Sequence, residues 1–323
     1  MAPSTTRAEA MPSASPVKPD AVKKGSRVGI FAPSSPAEEN RVQRGLDELR
    51  NLGFAVQAGF ARESQAYFSA SAASRLNDFQ TLLNDREISA LIALRGGYGS
   101  NYMLEELWSA PTLAPKCIVG YSDVTSLQIL LWQKFRWVGL YGPMVAAGLD
   151  AGANSPKGYD RRSFESALDG SSRNWKINLQ GESMRAGFAE GVVLGGCLNL
   201  VETTLGTPWE LATAGSILLL EDRGMKPWQI DRALMHLLQA GKFRGVLGIV
   251  LGEFPDCEPP VAGSPTAKEV CERILAPLGI PIVYGAAVGH TPRPMLTIPL
   301  GIRARLSAEG SGTLEFLETA VIP

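Results

Sequence analysis

Between Arg27 and Pro143, short apolar runs alternate five times with stretches of helical spacing. No other feature constrains the fold as strongly. RVGIFAP (27–33) reads as a strand stopped by proline. PAEENRVQRGLDELRNLG then places Val42, Leu46 and Leu49 on one helical face and ends at Gly53. FAVQAG, EISALIALRGG, KCIVG and WVGLYGP read as further strands. SAASRLNDFQTLLND, NYMLEELWS and DVTSLQILLWQKF read as the helices between them. This alternation implies a parallel sheet covered on both faces, with ligands gathering at the carboxyl ends of its strands. The expectation is a Rossmann-like N-terminal α/β domain over residues 26–147.

Residues 148–185 are rich in Gly, Asn, Ser and Pro and poor in periodicity, and read as a linker. Beyond them, GVVLGGCLNLVETTLGTPW, SILLLED, IDRALMHLLQAG and GVLGIVLGEF restore a strand–helix pattern. A helix near 266–276 and short strands around IPIVYG and LTIPLG follow. The expectation for 186–323 is a smaller C-terminal domain of mixed α/β type with short strands. Residues 1–25 are rich in Ala, Ser and Pro without an apolar core, which predicts a disordered tail rather than an export signal.

Composition removes several function classes. With 31 basic and 32 acidic residues the formal net charge is −1, so there is no electrostatic footprint for nucleic acid. No run approaches the ~20 apolar residues of a membrane span. Cys117, Cys197, Cys257 and Cys271 are scattered without C-x-x-C or metal-ligand spacing. They read as reduced thiols of a cytoplasmic protein, and neither a metal nor a cofactor is expected. Only His236 and His290 could serve as a base near neutral pH.

Four places could carry chemistry. In Gly120-Tyr121-Ser122-Asp123, a serine stands between a buried strand and a helix. Backbone N–H groups converge there, so Ser122 reads either as a helix cap or as a nucleophile. RGGYGS (95–100) is a tight turn whose N–H groups could cradle phosphate or stabilise an oxyanion, though it fits neither G-x-G-x-x-G nor the P-loop pattern. Glu221 and Asp222 end the strand SILLLED, and either could orient a partner or close an ion pair. His290 lies in the loop VGHTPRP, whereas His236 falls mid-helix and reads as a packing or surface residue. A serine, a carboxylate and a histidine together suffice for hydrolysis, and here they would meet between domains.

RGGYGS, GYSDVT, YGPM, GTPW, LLLED, IDRALMHLLQAG, GIVLGEF and GHTPRPMLTIPLG occur in that order, and together they resemble the LD-carboxypeptidase family of serine peptidases. That family includes the microcin-immunity peptidases. The resemblance runs from about residue 26 to the end. It implies cleavage of the amide after an L-centre, such as the terminal D-alanine of a murein tetrapeptide or a related aminoacyl conjugate. It further implies a nucleophile at Ser122, a base at His290, an orienting carboxylate at Glu221, and oxyanion donors at the N–H groups of Gly97 and Asp123. It also implies a homodimer, a small peptide or peptide-conjugate substrate, and a place in peptidoglycan recycling.

Arg95 and Arg293 are the candidate cations for a terminal carboxylate, and Tyr98, Met225 and Trp228 are candidate substrate contacts. Two positions depart from the family pattern. Met225 stands where many members carry a glutamate, and Cys197 where a G-G-N-L turn carries asparagine. Two other classes compete with the peptidase: a nucleotide-binding enzyme using RGGYGS as a phosphate cradle, and a non-catalytic binding protein retaining the fold.

Overall fold

A computed structural model of the chain describes residues 15–60, 64–111, 114–170 and 175–323. Its first half follows the expected alternation. Strands β1 (Arg27–Phe31), β2 (Ala55–Gln57), β3 (Ile88–Ala93), β4 (Cys117–Gly120) and β5 (Gly139–Tyr141) are separated by helices α1 (Glu39–Asn51), α2 (Ala72–Asn84), α3 (Leu104–Ser109) and α4 (Val124–Phe135). The five strands are parallel in the order β5-β4-β3-β1-β2. Helix α1 buries Val42, Leu46 and Leu49, the stripe its spacing predicts, and Gly53 follows it with φ +94°, a turn that favours glycine.

Helix α5 (Arg161–Asp169) and strands β6 (Lys176–Asn178) and β7 (Glu182–Arg185) come next. The chain continues through β8 (Phe188–Cys197), α6 (Leu198–Glu202), β9 (Ser216–Glu221), α7 (Pro227–Gln239), β10 (Gly248–Gly252), α8 (Ala267–Leu275) and β11 (Ile282–Ala286). It finishes with β12 (Ile298–Leu300), β13 (Arg303–Ser307) and β14 (Thr313–Phe316). A second, eight-stranded sheet runs β6-β14-β13-β8-β9-β10-β11-β7; its centre, β8 to β11, is parallel and its flanks are antiparallel. The fold is thus α/β with two mixed sheets. No helix among the described residues is long and apolar enough to cross a membrane.

Strand β9 shows how the two halves join. All six of its residues are buried. Ile217 and Leu219 enter the core shared with the first half, while Leu218 and Leu220 enter a second core with Ile230, Leu234 and Leu237 of α7. Two-residue alternation sends successive side chains to opposite faces. Each such Leu or Ile contributes about 1.5–3 kcal/mol by leaving water. The last residue of this doubly buried strand is a carboxylate, Glu221.

Three expectations about boundaries are corrected. Residues 15–25, read as part of a disordered tail, dock on the folded body: the Val17 N–H donates to Arg136 O (2.8 Å), the Ala21 N–H donates to Ile322 O near the C-terminus (2.8 Å), and Val22 is buried. The rest of that reading, residues 1–14, lies outside the described residues. The segment 148–185, read as a linker, contains α5 and supplies β6 and β7 to the second sheet. Strand β12, read as part of the second domain, pairs antiparallel with β5 and closes the edge of the first sheet. Pro299, which lacks an N–H, is tolerated in that edge strand.

Candidate active site

Ser122 sits where β4 turns into α4, with φ +60°, a left-handed conformation that costs a non-glycine residue roughly 1–3 kcal/mol. The surroundings impose it. The Thr125 N–H donates to Ser122 O (2.9 Å), and the buried Asp123 carboxylate accepts from Ser34 Oγ (2.5 Å) and the Ser100 N–H (2.8 Å). Ser100 Oγ donates to Asp123 O (2.7 Å), so three loops converge on one residue. Burial pushes the Asp123 carboxyl above its ordinary range, against the pull of these donors. Asp123, not Ser122, occupies the N-cap position of α4, and no side chain makes a cap bond there, so the reading of Ser122 as a helix cap does not apply.

The turn after β3 closes on this elbow. A β-carbon on Gly96 would lie 2.7 Å from Ser122 Cβ, and one on Gly97, whose φ is +110°, would lie 2.2 Å from Ser35 Oγ. Gly96 O accepts from the Ser35 N–H (3.3 Å). Because the peptide is trans, the Gly97 N–H then points away from Ser35. Neither that N–H nor the Asp123 N–H has a partner among the described residues.

From the second half, the loop after β11 brings His290 to the same place. Its Nδ1 lies 2.9 Å from Glu221 Oε2 and 3.2 Å from Oε1, and its backbone N–H donates to Oε2 at 2.8 Å. A third donor, Tyr141 Oη, reaches Oε1 at 2.5 Å. Gly289 (φ +58°) permits the approach, since a β-carbon there would lie 2.3 Å from Glu221 Cδ. Complete burial favours the neutral carboxyl, yet the charge and hydrogen bonds of His290, with Tyr141, hold Glu221 below its ordinary range. His290 moves the other way: burial opposes its charge, but Glu221 and then Asp222 raise it above the ordinary imidazole value. The Tyr121 ring stands edge-on to the imidazole, with centroids 5.0 Å apart.

Ser122, Gly96, Gly97 and His290 line one cavity of about 640 Å³. Four cations line it as well: Arg41, Arg95, Lys157 and Arg223. Arg41 is paired with buried Asp150 (2.6 Å) and Arg223 with Asp256 (2.6 Å). Of the four, the sequence singled out only Arg95. Its guanidinium donates to Pro36 O (2.9 Å) on a loop beside the first strand. Arg293, the other candidate cation, is committed elsewhere: it donates to Gln180 O (2.6 Å) and Gly285 O (2.5 Å) and lies 3.1 Å from Glu253.

The remaining candidates stand apart from this cavity. Asp222 accepts from the Asn199 N–H (2.9 Å) and Cys197 Sγ (3.3 Å), so it anchors the start of α6 and leaves Glu221 as the partner of His290. His236 is exposed and meets Glu202 at 2.9 Å. Tyr98 belongs to an exposed aromatic cluster with Tyr67, Phe68 and Tyr102. Met225 lines an adjoining cavity of about 220 Å³, which meets the first at Arg223. Trp228 is exposed beneath the Arg232 guanidinium. Tyr141 was missed as a site residue; its motif YGPM was noted, but a tyrosine ending a strand announces nothing about what its hydroxyl meets.

The family model for the LD-carboxypeptidase N-terminal domain matches residues 28–142, and that for the C-terminal domain matches residues 190–306. A Streptomyces coelicolor protein named as a carboxypeptidase is 36% identical over 92% of this chain and 95% of its own. A Bacillus subtilis protein named as a probable murein peptide carboxypeptidase is 31% identical over 92% and 94%. Among solved structures, the microcin C7 self-immunity protein MccF in complex with aspartyl sulfamoyl adenosine superposes with a TM-score of 0.84, at 24% identity over 95% of this chain and 100% of that one. The chain belongs to the LD-carboxypeptidase family and is a hydrolase of that class.

Proposed function

We propose that the protein is a serine LD-carboxypeptidase that removes the residue following an L-centre through an acyl-enzyme. The observation that carries this reading is the buried Glu221 carboxylate holding the His290 imidazole at 2.9 Å in the cavity that Ser122 also lines. Glu221 accepts a hydrogen bond from the Nδ1–H, which fixes the tautomer and leaves Nε2 as the base for Ser122 Oγ. The alkoxide attacks the scissile carbonyl, and the N–H groups of Gly97 and Asp123 receive the oxyanion; one such donor is worth roughly 3–4 kcal/mol in comparable sites. His290 then protonates the leaving amine, and water releases the acyl group by the reverse sequence.

Arg95 and Lys157, the two cavity cations with no carboxylate partner among the described residues, support a substrate with an anionic group, and the murein peptide named for the Bacillus subtilis relative is of that chemistry. On this reading the enzyme acts in peptidoglycan recycling. The same acyl chemistry would open aminoacyl conjugates of the kind bound in the MccF structure, and the cavity's volume and cations leave that as the second reading. Four buried, unpaired thiols support a cytoplasmic location, and the family resemblance supports a homodimer.

The test is incubation with murein tetrapeptide and with aminoacyl sulfamoyl nucleotides, products being read by mass spectrometry. Wild type should release D-alanine or the free amino acid, whereas Ser122→Ala and His290→Gln should each lose at least ~10³-fold. His236→Gln should retain most activity. Wild-type-like turnover by Ser122→Ala would overturn the mechanism.

A further inference from the structure

We infer that Tyr141 is a positioning residue: its hydroxyl ties Glu221 to the half of the molecule that carries Ser122, and so sets the imidazole of His290 against the nucleophile. The inference rests on the Ser122–His290–Glu221 reading above. Ser122 follows β4 by two residues and Tyr141 ends the neighbouring β5, where Gly120 pairs with Tyr141, while Glu221 ends β9 of the second sheet. The two sets of reacting groups therefore come from different sheets, and a misplacement of about 1 Å between such groups costs ~100-fold in rate.

The tie is built rather than incidental. Tyr141 is completely buried, and its Oη lies 2.5 Å from Glu221 Oε1. Thr125, on the first turn of α4, stands beside the same phenol and favours its charged form slightly. Thr125 Oγ1 in turn accepts from the Cys197 N–H at 3.1 Å. Gly196 (φ +143°) makes room for this: a β-carbon there would lie 2.7 Å from Thr125 Oγ1 and 3.1 Å from Tyr141 Cε2. A line of polar contacts thus leads from the end of β8 through α4 and β5 to β9, with hydrogen bonds at both ends. It crosses the boundary between the halves twice and finishes on the carboxylate that holds His290. Burial, and then the neighbouring Glu221 charge, keep the phenol neutral, so it donates and Glu221 accepts.

A donor on Oε1 also partly offsets the carboxylate's charge as felt by the imidazole. Removing it should strengthen the attraction for the imidazolium and raise His290 further. The other groups facing this pair are neutral Tyr121, buried Cys197 and Asp222 beside Glu221, and Arg223 beside His290. None of them replaces the lost donor on Oε1.

The experiment compares wild type with Tyr141→Phe, which keeps the ring and removes one oxygen, on the same peptide substrate. We expect kcat to fall about 10- to 100-fold with KM little changed, and the acid limb of kcat/KM against pH to move upward. A purely structural tyrosine would lower Tm without moving that limb. Thr125→Val serves as a second variant should Tyr141→Phe not fold, with a smaller upward shift expected. In a Glu221→Gln background, Tyr141→Phe should add little further loss, because it acts through that carboxylate. An unmoved limb with wild-type kcat, or full additivity with Glu221→Gln, overturns the inference even where Ser122→Ala is dead. An active Ser122→Ala overturns the underlying reading instead.

Discussion

Gly96 and Ser122 pack so closely that a β-carbon on Gly96 would fall 2.7 Å from Ser122 Cβ and 2.8 Å from its Oγ. The contact joins two loops that the sequence separates by 26 residues. Gly96 does not have a positive φ, so its backbone would accept an alanine, and the obstacle is Ser122 alone. Gly96→Ala should therefore push the serine off its line of attack and lower kcat/KM by at least ~100-fold while the protein stays folded. Steady-state kinetics beside a melting curve checks this. Full activity in a folded Gly96→Ala protein would remove Ser122 from the reacting centre.

The shifts of Glu221 and His290 set two pH dependences. His290 must be neutral to accept a proton, and its raised value puts the acid limb of kcat/KM above about 6.5, the ordinary imidazole value. Glu221→Gln removes the main raising influence and leaves burial, so the limb should move down while the maximal rate falls by ~10³-fold or more. For stability the signs are opposite. The contribution of Glu221, held below its ordinary range, is present above about 4.3 and is lost as pH falls through the folded value. The contribution of His290 is full below about 6.5 and is lost as pH rises through its raised value. The Tm gap between wild type and Glu221→Gln should be widest between these limits and narrow on both sides. A gap independent of pH would show that the pair is not ionised in the folded protein.

Arg95 and Arg293 looked alike in the sequence and separate in the structure. Arg95 lines the cavity next to Gly96 and Gly97, while Arg293 holds two carbonyls and Glu253. Arg95→Ala should cut the preference for a substrate with a free terminal carboxylate over its carboxamide by about tenfold or more, mostly through KM. Arg293→Ala should leave that preference intact and lower Tm. Measuring kcat/KM for both substrates with both variants decides it, and a loss of preference confined to Arg293→Ala would reverse the assignment.

What the sequence disclosed follows from the range of the interactions involved. Ser122, Glu221 and His290 each stand at the end of an apolar run, and that local signal survives without knowledge of the fold. The first sheet was legible for the same reason, since each strand and helix announces itself within about a dozen residues. Strand β12 was misassigned because pairing with β5 is a contact across some 160 residues of chain. Strand β13 was overlooked although Arg303–Ser307 alternates exposed and buried positions, a period-two signal that was present in RARLS. Arg41 and Lys157 looked like ordinary surface charges, one on a helix and one in an aperiodic loop. Lys157 reaches the cavity where its N–H donates to Pro292 O (2.9 Å) beside the His290 segment, and Arg41 is held there by buried Asp150, contacts that no local pattern announces.

Met225 is one of the two positions read as departing from the family pattern, and its surroundings give the departure a consequence. The adjoining cavity it lines is rich in charge, but each charge has a partner. Asp222 is taken by the Asn199 and Arg223 N–H groups, Glu202 by His236, Arg223 by Asp256, and Arg232 lies over Trp228. Gln229 Oε1 accepts from the Lys226 N–H. Among the described residues lining it, no carboxylate lacks a hydrogen-bond partner, and the thioether offers an adaptable apolar surface. Wild type should therefore act weakly on a diaminopimelate-type peptide and better on substrates with an apolar or aromatic group near the scissile bond. Met225→Glu places an unpartnered carboxylate beside Arg223, at the junction with the main cavity. It should shift the ratio of kcat/KM toward the ammonium-bearing peptide by about tenfold or more. The ratio for the two peptides, measured in wild type and variant, is the test. If wild type already favours the diaminopimelate peptide and Met225→Glu leaves the ratio unchanged, residue 225 does not read the substrate, whatever the fate of Ser122, Glu221 and His290.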